Sequence, residues 1–157
     1  MAQAPATPTN AQLAQFLLDQ APDGLIFADR EGVVRVWNDA ATRIFGFARE
    51  AAVGQDLNII IPESLRDPHW AGYDRALAAG DTKYRGQSLP TKALRADGAT
   101  IYVELSFAIV HAADGSVIGA LAQARDITER FERDRQSRRR LRELEQQVAR
   151  AESTSGV

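Results

Sequence analysis

The sequence predicts an α+β fold, with a five-stranded antiparallel sheet, helices on one face, and a further helix at each end of the chain. Three observations carry that prediction. Two apolar runs flank a tight turn in "GLIFADREGVVRVWN", as a hairpin requires. The segment "IYVELSFAIV" alternates, so Ile101, Val103, Leu105, Phe107 and Ile109 share one face. Between these strand regions lies a block of helical spacing, and past Thr128 the chain turns to charged helix formers.

The elements follow in order. Residues 1–10 are rich in Ala, Pro and Thr and read as a disordered tail. Over 11–21 Asn10 caps an amphipathic helix in which Leu13, Phe16, Leu17 and Gln20 are spaced by three and four, and Pro22 with Gly24 stops it. After the hairpin, "NDAATRIFGF" places Ala40, Ile44 and Phe45 on one helical face, with Asn38 or Asp39 as cap and Gly46 as terminator. Short helical pieces continue to Pro62. In "LRDPHWAGYDRALAAG" Asp67 reads as an N-cap, Pro68 as the first helical residue and Gly80 as the stop. A mixed strand from Thr82 to Leu94, the turn "RADGAT", the alternating strand, the turn "AADGS" and "VIGALAQARDIT" then make an antiparallel meander. The domain spans 22–128, a C-terminal helix 129–152 and a second disordered tail 153–157.

On the C-terminal helix Leu141, Leu144, Val148 and Ala151 form a narrow apolar seam. The preceding heptad core positions would be Ile127, Arg130, Asp134 and Ser137, too polar for an ideal coiled coil. A short seam on a charged helix predicts a partner, and a second copy of the chain is the expected one.

Composition narrows the chemistry. The 157 residues carry a formal net charge of -2 with both signs interspersed, so general nucleic-acid binding is not expected. No apolar run approaches the roughly 20 residues that span a bilayer, and "MAQAPATPTN" lacks the basic and apolar parts of a signal peptide. The expectation is a cytoplasmic protein without a membrane partner. Cysteine is absent, which excludes disulfides, thiolate metal sites, thioether-linked haem and cysteinyl photoadducts. With two histidines, no phosphate-binding Gly loop and no nucleophile motif, an enzyme is not expected.

His69 is the residue that calls for a reason. It falls with Tyr73 and Leu77 at i, i+4 and i+8, one stripe of a helix. If Leu77 faces the core, so does His69. Placed in the first turn, the imidazole would meet the positive end of the helix dipole, which favours the neutral form that metals require.

The pattern "WNDAATRIFGF", "LRADGATIYVELSFAIV" and Asp126-Ile127-Thr128, between about Ala21 and Arg130, resembles the PAS sensor domain. The resemblance implies a ligand pocket between the concave sheet face and the helices from Asn38 to Ala79, with signal leaving through the helix after Asp126. Locally, Pro62-Glu63, Arg66, His69 and Tyr73 resemble the haem-binding PAS domains of gas-sensing kinases and phosphodiesterases. That likeness implies haem b with His69 as iron ligand and Tyr73 beside it. It also implies Tyr84, Leu89, Leu105 and Phe107 around the distal cavity, and Arg75 and Lys83 near the propionates. Leu89 stands where oxygen-sensing members place an arginine, so bound oxygen would lack that donor while carbon monoxide or nitric oxide could still bind. Gln87 is a candidate substitute donor.

Other readings of the same residues stay open. One is a cofactor-free PAS dimerisation or protein-interaction module, its pocket filled by Trp37, Phe45 and Phe107 and His69 packed. Another is a pocket for a metabolite or fatty acid. Trp70 and Tyr73 read as packing residues and His111 as exposed. A separate signalling protein is the alternative partner.

Overall fold

The computed structural model describes residues 7–154, and the chain divides into two compact units at Asp126/Ile127. The predicted tail residues 1–6 and 155–157 lie outside the described residues.

The first unit opens with α1 (Asn10–Gln20). Its cap is Thr9, one residue before the expected Asn10: the Thr9 hydroxyl accepts from the Gln12 backbone N–H while the Gln12 side chain accepts from Thr9 N–H. This reciprocal pair satisfies two helix-end donors, which a lone Asn cap cannot do. Leu13, Phe16 and Leu17 follow the predicted spacing but remain exposed.

The hairpin forms from β1 (Gly24–Asp29) and β2 (Val34–Trp37). Asp29 closes it, its Oδ1 accepting from the N–H groups of Glu31 and Val33 at 3.1 and 3.0 Å. The helical block comprises α2 (Asp39–Phe45), α3 (Arg49–Ala52), a 3-10 turn at Leu57–Ile59 and α4 (Glu63–Ala79). Asn38 caps α2 and Gly46, at φ 79°, ends it, both as the sequence predicts.

The meander consists of β3 (Leu89–Leu94), β4 (Thr100–His111) and β5 (Val117–Asp126). Its connecting turns are Asx turns: Asp97 accepts from Ala99 N–H, and Asp114 from Ser116 N–H. The expected strand over Thr82–Leu94 is shorter because its first half is taken by turns. There Asp81 Oδ1 accepts from Thr82 N–H and Thr82 Oγ1 from Tyr84 N–H, and Gly86 adopts φ 69°.

The sheet is antiparallel throughout, in the order β2-β1-β5-β4-β3. Register puts Ile26 and Ala28 of β1 beside Ala122 and Ala120 of β5, which in turn pair with Phe107 and Ile109 of β4. That face carries the core, where Trp37, Phe45, Ile26, Val34 and Val103 are almost fully buried under the helical block. The opposite face holds a polar pocket of about 180 Å³ lined by Asp23, Ser88, Glu104, Ser106, Gln123 and Arg125.

Asn38 ties the unit together. Its Oδ1 accepts from Leu25 and Ala41 N–H at 2.9 and 3.0 Å, and its Nδ2 donates to Leu18 and Asp23 carbonyls, each at 3.0 Å. The amide therefore joins the ends of α1, β1 and α2 with no exposed surface. Nearby, the Asp23 carboxylate accepts from Arg125 Nε and Nη2 and from Gln123 Nε2. The Arg125 hydrogen bonds, working against burial and helped by Gln123, hold that carboxyl below its ordinary range.

The second unit contains α5 (Thr128–Thr154), which runs two residues past the expected 152. Leu141, Leu144 and Val148 are exposed on it at 57%, 50% and 56%. Those values leave the predicted seam open along the helix surface.

Candidate ligand site on the fourth helix

Helix α4 begins earlier than its sequence suggests. Pro62 precedes its first residue, and Asp67 and Pro68 lie inside it instead of marking its start. Proline at that position removes one backbone donor near the N-terminus. Against that loss, Leu65 packs on the core, and the Arg66 guanidinium donates to the carbonyls of Ile61 and Asn58 at 3.2 and 3.4 Å. Gly80, at φ 68°, ends the helix as expected.

The predicted stripe is present: His69 and Tyr73 are half-buried and Leu77 is buried. His69 now sits in the second turn, beyond the reach of the dipole invoked for a first-turn position. Burial is what lowers its pKa, so the ring is held neutral for a different reason from the one expected.

Two aromatic rings hold the imidazole. Tyr73 stacks on it with centroids 5.9 Å apart and planes at 28°, and Trp70 meets it edge-on at 4.9 Å. Each ring is fixed at its polar tip. Tyr73 Oη donates to the carbonyl of Asp29 at 2.6 Å, with that of Ala28 at 3.1 Å, and Trp70 Nε1 donates to Asn58 Oδ1 at 3.0 Å. The Trp70 ring also covers Gly32, where any Cβ would collide with it. Packing is the role the sequence assigned to both rings.

Among the described side chains His69 Nδ1 is a buried polar atom without a hydrogen-bond partner. Such an orphan costs about 1–3 kcal/mol. A neutral imidazole with an unsatisfied buried nitrogen fits a group whose partner comes from outside the chain, haem iron included.

The other sequence-derived residues divide into two sets. Leu89 pairs with Leu105 across β3 and β4, and Phe107 lies two residues further along the same face; all three are half-buried. Tyr84 is half-buried in the α4–β3 loop, with Lys83 Nζ 4.8 Å from its ring centre. Arg75 and Lys83 are exposed, and the Arg75 guanidinium lies back toward Gly72 of its own helix. Gln87 is exposed as well, and His111 is exposed as expected. None of these residues lines the polar pocket on the opposite sheet face.

Gly32 and Asn58, which seat Trp70, were not singled out from sequence. The glycine in "DREGVV" was legible as a turn residue, but the ring above it was not. Among the described residues no group of three or more His, Asp or Glu side chains is placed to hold a metal ion, and no helix is long and apolar enough to cross a membrane.

Comparison with known proteins agrees with this architecture. Residues 18–132 match a family described as the PAS fold. Among curated proteins, Sensor protein FixL of Bradyrhizobium diazoefficiens is 28% identical over 141 residues. In Escherichia coli the Signal transduction histidine-protein kinase AtoS is 31% identical over 147 residues and the Oxygen sensor protein DosP 26% over 121. The alignments take in 90%, 92% and 77% of this chain but 27%, 22% and 15% of those proteins, so the chain spans less than a third of their length. The crystal structure of a PAS domain from Colwellia psychrerythraea superposes with a TM-score of 0.67 at 20% identity, covering 77% of this chain and 99% of that one.

Proposed function

Because the chain belongs to the PAS fold family, we propose that it is a sensory module that binds haem b through the His69 imidazole for gas or redox sensing. The buried, unpartnered Nδ1 of His69 carries this reading. Two of the relatives are named as sensors and one of these as an oxygen sensor, which supports the same class of signal.

The residues have separable roles. Neutral His69 offers a lone pair to a metal without first losing a proton. Leu89, Leu105 and Phe107 supply apolar surface that excludes water, and Leu89 offers no hydrogen bond to a bound ligand. Arg75 and Lys83 are exposed cations available to two propionates. Haem, when bound, supplies the iron centre for a diatomic gas. The open seam Leu141, Leu144 and Val148 suits a second copy of the chain, through which the signal passes to output machinery.

The packing of His69 against two anchored rings favours a second reading, a cofactor-free interaction module in which the histidine only packs. Hemin titration separates the two. The first reading expects a saturable, one-to-one absorption band in the wild type that His69→Ala abolishes while remaining folded. An identical band in both proteins, or none in either, removes His69 from the role of ligand.

A further inference from the structure

We infer that Tyr73 is a positioning residue for His69, and that its hydroxyl couples the imidazole to the end of β1. The inference rests on the reading above only in taking His69 as the group that meets the ligand.

An imidazole is ordinarily oriented by a hydrogen bond on the nitrogen that does not face its ligand. His69 Nδ1 has none. Its ring is instead set by contact with Trp70, edge-on, and with Tyr73, stacked, and those two rings also pack on each other with centroids 5.6 Å apart. Tyr73 has two side-chain torsions and is tethered at its far end, so its ring plane has little freedom.

The acceptors belong to a sensitive part of the sheet. Ala28 and Asp29 end β1, just past the irregularity in β1–β2 pairing between Phe27 and Ala28. Asp29 is also the residue whose carboxylate holds the hairpin turn through Glu31, Val33 and Arg35. A ligand that draws the His69 ring aside either parts the stacked rings, freeing Tyr73 of its neighbour, or carries Tyr73 with it against its hold on Asp29. The second event reaches the hairpin directly.

The test uses the ligand-free 157-residue chain, so it does not depend on haem. The His69 ring resonances are followed by NMR through a pH titration, alongside amide exchange at Glu31 and Val33 and thermal melting. Tyr73→Phe keeps the ring and removes the tether. It is expected to raise the depressed His69 midpoint by at least 0.3 pH units and to speed exchange at those amides at least fivefold. Leu77→Val is the control: a comparable fall in melting temperature with the His69 midpoint unchanged.

An unchanged His69 midpoint in Tyr73→Phe, or an equal shift in Leu77→Val, overturns the inference. Should Tyr73→Phe not fold, the wild type decides: amide exchange at Glu31 and Val33, corrected for its intrinsic pH dependence, is expected to change as His69 titrates, and exchange that does not respond to imidazole protonation overturns the inference. A failed hemin titration with these shifts present would defeat the haem reading alone. A successful one without them would defeat the positioning role alone.

Discussion

Asn38→Ala tests the junction that joins α1, β1 and α2. Alanine deletes four hydrogen bonds and leaves Leu25 and Ala41 N–H and the Leu18 and Asp23 carbonyls without that partner. Loss of the helix cap costs about 1 kcal/mol. Beyond the cap donor Ala41 N–H, the orphaned Leu25 N–H costs about 1–3 kcal/mol and the two carbonyls together about 1 kcal/mol, because each has a second lone pair and part of the site can admit water. The sum is about 3–5 kcal/mol, a large share of the roughly 5–15 kcal/mol that stabilises a typical domain. With a urea m value of about 2 kcal/mol/M, the unfolding midpoint should fall by about 1.5–2.5 M. Circular dichroism against urea reads that shift at constant m. A loss below about 1 kcal/mol would mean that water replaces the amide and that Asn38 is not the joint described here.

Three further outcomes are expected. Gly32→Ala must hold φ 77° with a side chain and displace the Trp70 ring, so stability should fall by about 2 kcal/mol and tryptophan emission should move to the red; unchanged emission would contradict the contact. His69 has a folded pKa below its unfolded value of about 6.5, so its contribution is complete above about pH 6.5 and is lost as pH falls toward the folded value. The depressed aspartates, Asp23 among them, act lower, below about pH 4, so stability between about pH 4.5 and 6.5 should slope in the wild type and flatten in His69→Gln; equal slopes in urea titrations would refute the assignment. Leu144→Asp places a charge in the α5 seam and should lower the mass measured by light scattering if a second copy covers that face, whereas an unchanged mass excludes it.

Local chemistry made much of the fold legible. Asn38 and Gly46 bound α2 because a side-chain acceptor and a left-handed residue act within one turn of chain. The Asp-Gly turns and the alternation of Ile101 and Val103 read correctly for the same reason. The capping box at Thr9 and Gln12 was also present in the sequence, but the neighbouring Asn10 is an equally good cap by residue type alone. Asp67-Pro68 imitates a helix start, and only the packing of Leu65 and the carbonyl contacts of Arg66 reveal that the helix is already under way. The Asp23–Arg125 pair joins residues 102 apart, which no local pattern announces.

The site follows the same division. The stripe His69, Tyr73 and Leu77 is a matter of helical period and was visible. The tether from Tyr73 to Asp29, the Trp70 ring over Gly32 and the orphaned Nδ1 depend on how α4 lies against the hairpin. That placement also replaces the helix dipole with burial as the reason for a neutral imidazole.

The most direct test of the proposed function is the haem content of wild-type protein purified from haem-supplied cells, measured per folded chain beside His69→Ala. Haem binding through His69 requires close to one haem per wild-type chain and close to none in the variant. A folded wild-type protein with no haem would contradict it and leave His69 as a packing residue of a cofactor-free or metabolite-binding PAS module.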